Sequence, residues 1–285
     1  MGRSPERPMD YDHSRKAGNL GDVWKHFALV ALADRITGKA DTFHYVESHA
    51  GAPIHELRDR GEWRRGIGRV ARDASFDCPY IATAREWLSL RRYPASWVFV
   101  VGRLARRFTN VRATLFDSSD QVAAQYQPTM DTLVPNNVRV GFRQGDGYAA
   151  AADLEDSDLV FLDPPFHPDA KTDWRLLEYA CRDLTSRGLA FAAWYPFYWP
   201  TRPQALSDFT QCTSWEVSWT PCGSKPSQNL KGCGMLLSAG LARLFRDVEK
   251  DLVKMSACLQ AELTVREPSS DDVQPTTTGE LGRRG

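Results

Sequence analysis

No two of the six cysteines stand as a CxxC pair, and Cys78, Cys181, Cys212, Cys222, Cys233 and Cys258 are scattered along 285 residues. That spacing excludes the usual zinc motifs and a dense disulfide framework, so a reduced, cytoplasmic protein is expected. Long apolar runs are also missing. Nothing approaches the ~20 residues that span a bilayer, and the polar stretch Met1 to Asp10 lacks the apolar core of a signal peptide, so no membrane partner is expected. Net charge is lacking as well. With 36 basic and 36 acidic residues the molecule offers no general attraction to a polyanion, and any nucleic-acid footprint has to be local.

What is present is an alternation of short apolar strands and helices. Val23, Phe27, Val30 and Ala33 fall at helical spacing between Asp22 and Ile36. Strands fit Phe43 to Glu47, Val111 to Phe116, Val138 to Phe142, Asp158 to Leu162 and Leu189 to Trp194. Helices fit Ser119 to Leu133 and Trp174 to Ser186. This pattern predicts an α/β domain with a largely parallel sheet, whose ligands sit beyond the carboxyl ends of the strands. Residues 54–107 interrupt it. They hold twelve arginines against six acids, with Trp63, Trp87, Tyr93 and Trp97 interleaved, and read as a helical basic insertion able to track phosphates or simply to pack. The division expected is a disordered 1–10, a catalytic domain from 11–53 and 108–262, the insertion at 54–107, and a disordered tail at 263–285 rich in Ser, Thr, Pro and Asp.

The sharpest chemical signal is Asp163, Pro164, Pro165 and Phe166, directly after the apolar run Leu159 to Leu162. A carboxylate at that strand end accepts a hydrogen bond from an amino group. A carbonyl held by the rigid proline pair accepts a second, and the aromatic ring offers a stacking face. The turn Ser48, His49, Ala50, Gly51 after the first strand is small enough for close approach of a nucleotide-type cofactor. Asp117 ends the second strand, where a carboxylate holds ribose hydroxyls or merely caps a helix. Asp146 and Gly147 follow the third strand. Ahead of them all, Lys16, Gly18, Asn19, Gly21, Asp22, Lys25 and His26 suggest a lid over the site.

In that order the motifs resemble the RlmJ family of bacterial 23S ribosomal RNA adenine-N6 methyltransferases. The likeness runs from Tyr11 to Cys258 and is carried by Tyr11, His13, Ser14, Ala17 to Asn19, Asp22, Val23, Lys25 and His26. It continues through His49 to Ala52, Gly61 with Glu62, Tyr93, Pro94 and Ser96, Asp146 with Gly147, and the tetrad at Asp163. Lys171 to Asp173, Trp194 to Pro196 and Gly234 with Met235 complete it. Pro53 stands where the family motif has a third glycine, Glu47 and Asp117 exchange carboxylate lengths, Phe166 replaces a tyrosine, and Ala95 and Trp97 flank Ser96.

The resemblance implies a Rossmann-like class I S-adenosylmethionine-dependent methyltransferase with a small helical insertion. It implies that His26, His49, Gly51, Ser96, Asp117, Asp146 and Gly147 line the S-adenosylmethionine site. Asp163, with Pro164 and Phe166, would act on the adenine amino group, and Tyr11, Lys25 and Phe166 would meet the substrate. The expected partner is RNA, namely 23S ribosomal RNA presenting a single-stranded or flipped adenine to a monomeric enzyme. Two other readings stay open at this level: a methyltransferase acting on DNA adenine or on a small-molecule amine, and a non-catalytic RNA-binding relative.

Overall fold

The computed structural model describes residues 15–37, 41–74, 76–166, 170–198, 212–219 and 230–266. Tyr11, the 1–10 segment, Cys222 and the chain beyond 266 lie outside them. The first helix, α1 (Leu20–Ala33), starts where Asn19 accepts a hydrogen bond from the Asp22 amide, an N-cap worth about 1 kcal/mol. The helix is buried over twelve of its fourteen residues, which explains why apolar positions on it exceed one face.

The strands are β1 (Thr42–Glu47), β2 (Ile54–Glu56), β3 (Arg92–Pro94), β4 (Asn110–Asp117), β5 (Val138–Gln144), β6 (Leu159–Leu162), β7 (Phe191–Tyr198), β8 (Thr213–Trp219), β9 (Leu230–Leu237) and β10 (Ala261–Arg266). Eight of them form one sheet in the order β10-β8-β9-β7-β6-β1-β4-β5, and β2 pairs with β3 apart from it. The neighbours from β5 through β7 are parallel; β9 lies antiparallel between β7 and β8, and β10 is antiparallel to β8. Each expected strand is found. The last three were not read from the sequence, because β8 and β9 flank a stretch without clean alternation and β10 is short and polar.

Both faces of the sheet are covered, and β6 shows how. Leu159 and Phe161 enter the core shared with α1, while Val160 and Leu162 enter a second core, closed by α6 (Gly147–Ala152) and α7 (Ala170–Ser186). Strands buried on two faces read as continuous apolar runs, as Leu159 to Leu162 does. Beyond β9, α8 (Ala239–Asp247) and α9 (Glu249–Cys258) return to the first core through Leu241, Phe245, Leu252 and Met255.

Two boundaries differ from expectation. The 54–107 stretch is not wholly helical: besides β2 and β3 it holds a single 3-10 turn at Glu62–Arg64, α2 (Ile67–Val70), α3 (Pro79–Ser89) and α4 (Ser96–Leu104). Of these, α4 is the crossover helix that carries the chain from the insertion to β4. Its residues Trp97, Phe99, Val100, Val101 and Leu104 are buried in the main core. Its apolar content, masked in the sequence by flanking arginines, ties it to the sheet's main core. The sheet also extends past 262, since β10 continues through Arg266, paired with Ser214 and bonded to Glu216. No described helix is long and apolar enough to cross a membrane.

Candidate active site

The carboxyl ends of β1, β4, β5 and β6 converge on one crevice, and each delivers a polar group. At the end of β1, Glu47 is fully buried and accepts hydrogen bonds from Tyr45 and Ser96. Burial pushes its carboxyl up to about 8, with those two donors working against the shift, Asp163 adding to it and Lys25 countering it. The next residues are held by the sheet itself. Ser48 N–H donates to the Phe161 carbonyl, Ala50 N–H to that of Phe116, and Gly51, in the left-handed region at φ 63°, donates to Asp117.

Asp117, ending β4, takes Gly51 N–H on one oxygen and Ser119 N–H on the other. Each carboxylate oxygen has a second lone pair, so this fixed group retains acceptor capacity for a pair of hydroxyls. Asp146, after β5, caps α6 by accepting from the amides of Tyr148 and Ala149. Gly147 lies so close to β1 that a Cβ there would stand 1.7 Å from the Ser48 carbonyl oxygen. His49 bridges these parts, with its Nδ1 at the Ser48 hydroxyl and its ring edge-on to Tyr148. Burial lowers its pKa to about 4, partly opposed by Asp146, so the ring is neutral.

Asp163 ends β6 with its Oδ2 2.7 Å from the Lys25 ammonium, and Lys25 also stands 3.4 Å from Asp22. Burial alone would lower the lysine pKa, but Asp163, Asp22 and Glu47 outweigh it, so the ammonium is held well above its ordinary range. Its Nζ also lies 5.1 Å above the Trp194 ring. Pro164 is buried and Phe166 has φ 53°, a non-glycine residue in the left-handed region. The Phe166 ring is enclosed, tilted on Trp174 and edge-on to Trp194.

Of the residues expected from the sequence, Lys25, His49, Gly51, Ser96, Asp117, Asp146, Gly147, Asp163, Pro164 and Phe166 are gathered around this crevice or support its walls. His26 points its Nδ1 at the Tyr93 hydroxyl and stacks on that ring, in a buried relay that ends at Tyr80. The segment expected to be a lid is instead built in. Gly18 N–H donates to Asp22, the Gly18 carbonyl accepts from Ile67 of α2, and Ala17 is fully buried. Glu47 and Tyr126 were not singled out as site residues beforehand, and Asp22 only as part of the expected lid. Glu47 and Asp22 carry their meaning in burial and partners, which no local pattern announces. Tyr126, whose hydroxyl bonds the Gly51 carbonyl, comes from the middle of α5 (Asp120–Leu133).

No protein-family model matches the chain. Among curated proteins it is similar to the ribosomal RNA large subunit methyltransferase J of Haemophilus influenzae, 27% identical over 201 residues. The protein of the same name in Escherichia coli is 25% identical over 205 residues, and each match covers 66% of this chain and 70% of the relative. A solved structure from Legionella pneumophila shares the fold with a TM-score of 0.74 at 21% identity, covering 89% of this chain and 99% of that one. In sequence the chain is similar to these RlmJ-type methyltransferases, and in fold to the Legionella protein.

S-adenosylmethionine is the cofactor of this class. The donor set of the crevice fits it: a doubly anchored carboxylate at the end of β4 suits ribose hydroxyls, and the backbone approach at Gly147 leaves no side chain beside the β1 turn. The carboxylates of Asp22, Asp117, Asp146 and Asp163 suit a molecule that carries a sulfonium and an ammonium group.

Proposed function

We propose that the chain methylates the N6 amino group of an adenine in RNA, with ribosomal RNA of the large subunit as its substrate. The observation that supports this reading most directly is Asp163, held by an ion pair at the carboxyl end of a buried strand and followed by the rigid proline pair and an aromatic wall. The two curated relatives are named as large-subunit ribosomal RNA methyltransferases. Adenine N6 is the acceptor chemistry that a carboxylate and an adjacent carbonyl are suited to hold.

S-adenosylmethionine, when bound, supplies an electrophilic methyl group. The residues that would hold it are Asp117 and the Gly51 turn for the ribose, Asp146 and Gly147 for the adenine ring, and Ser96 and His49 around the amino-acid end, with His26 acting only through its buried relay to Tyr93. Asp163 accepts a hydrogen bond from the substrate amino group and the Pro164 carbonyl takes the other, which localises the nitrogen lone pair. Lys25 fixes the carboxylate's direction, and the mutually tilted rings of Phe166, Trp174 and Trp194 make up the aromatic wall beside it. After transfer the cationic nitrogen loses a proton readily, so Asp163 needs only to orient, not to be a strong base. An adenine within a duplex cannot reach this depth, so a single-stranded or flipped base is required. A cytoplasmic site of action and a monomeric enzyme belong to the same reading, and Tyr11 would join Lys25 at the substrate.

Mass spectrometry of nucleosides from ribosomal RNA of cells with and without the gene tests it. N6-methyladenine at one position should vanish in the deletion, return with the wild-type gene, and fail to return with Asp163→Ala, while that variant still binds S-adenosylmethionine by calorimetry. An unchanged RNA pool, or full rescue by Asp163→Ala, overturns the reading.

A further inference from the structure

The insertion carries a second cavity that the methyl-transfer chemistry does not use. It encloses about 330 Å³ between the 3-10 turn, α2 and α3, floored by Trp63, Gly68 and Leu88 and rimmed by Arg64, Arg72 and Arg85. That volume lies at the lower end of small-ligand sites, ~300–1,000 Å³, and suits one nucleotide rather than a larger molecule.

Its side chains divide into frame and rim. Arg85 is spent on the frame, donating to the Ala71 and Asp73 carbonyls and to Asp77. Trp63 is fixed by its indole N–H on the Arg58 carbonyl, 2.7 Å away, and by the close approach of Gly68. Over the Trp63 ring lie the guanidinium groups of Arg64 at 4.9 Å and Arg91 at 5.3 Å, and Arg64 is held there by its Nε on the Asp59 carbonyl; a guanidinium over an aromatic ring is a surface on which a base can lie. Arg64 and Arg72 are exposed. Ion pairs of Arg91 with Asp59, Arg92 with Glu56 and Arg85 with Asp77 engage three of the six acids of the insertion.

The cavity is also joined to the crevice. Trp63 and Ile67 back onto Gly18, Gly18 N–H is bonded to Asp22, and Asp22 neighbours Lys25, the partner of Asp163.

We propose that this cavity holds a nucleotide of the single-stranded RNA flanking the target adenine, its base on the Trp63–Arg64 stack and its phosphates on Arg64 and Arg72. The site thus anchors the strand at a fixed offset from Asp163 and selects RNA with an unpaired base on one side of the target. It rests on the RNA reading above.

The test uses the full chain and a fluorescein-labelled, unstructured, adenine-containing oligoribonucleotide followed by anisotropy across a salt series. Arg64→Glu with Arg72→Glu should weaken binding at least about tenfold and flatten the log–log salt slope by roughly 1.4, the value for two phosphate contacts on a single strand. Melting temperature and S-adenosylmethionine affinity by calorimetry should not change. A control, Arg139→Glu with Arg243→Glu, changes net charge equally at exposed positions on β5 and α8 and should keep RNA affinity within twofold of wild type. Wild-type affinity in the first variant, or an equal loss in the control, overturns the site while leaving the RNA reading intact. A wild-type protein that binds S-adenosylmethionine but no RNA overturns both.

Discussion

Glu47 has neither carboxylate oxygen in water, and its two partners, Tyr45 and Ser96, are hydroxyls that can reorient to accept a proton as well as donate one. Its folded-state pKa of about 8 stands above the ordinary 4.5, so between these values the native chain binds more protons than the unfolded one. Stability from this group is therefore greatest below about pH 4.5 and declines as pH rises towards 8, by at most ~1.4 kcal/mol per pH unit. Glu47→Gln copies the protonated form and removes that slope. Urea unfolding at pH 6, 7 and 8 should show the wild type losing stability relative to the variant; parallel curves would mean that Glu47 is ionised throughout. In the sequence this residue stood out only by its carboxylate length, because its protonation is set by burial under distant residues, among them Ser96, 49 positions away, whose hydrogen bond works against it. Asp163 was legible from its neighbours alone, whereas its partner Lys25 comes from a helix 138 positions earlier.

Among the elements, the junction of α6 with the β1 turn is the tightest contact in the crevice. Backbone meets backbone at Gly147 and Ser48, and no side-chain rotation can relieve an added methyl group. Gly147→Ala should cost about 1–3 kcal/mol, the usual penalty of overpacking, and should lower S-adenosylmethionine affinity at least tenfold because Asp146 and the Ser48–Gly51 turn move apart. Calorimetry and thermal melting check it, and wild-type values in both would sink the assignment of this junction to the cofactor site. Strands β6 and β7 were readable because burial on two faces leaves continuous apolar runs, and β4 and β5 because their apolar residues alternate with polar ones. The role of α4 was not. Arg103 and Arg107, which looked like part of a basic face, are turned back on α1, bonded to Asp34 and to the Ala33 carbonyl. A charge count records their sign and not their partner.

At the level of the whole molecule, eight strands share one sheet whose two cores are sealed by helices drawn from both ends of the chain. The described cysteines are free thiols, and Cys181 and Cys233 lie inside these cores, where burial raises the thiol pKa, that of Cys233 to about 12. Iodoacetamide should label the half-buried Cys78 and Cys258 in the native protein and spare Cys181 and Cys233. The latter pair should become reactive only along the urea transition. Native labelling of Cys181 or Cys233 at the rate of Cys258 would show that the cores open locally.

Sequence alone determined the α/β class, the order of the parallel strands along the chain and the tetrad at Asp163, since each of these is written in runs of adjacent residues whose burial and dihedral preferences are local. Only the tertiary structure decided which carboxylate is paired, which is protonated and which arginines still face outward. Those properties depend on distances between residues far apart in the chain, and on the removal of water that packing brings about.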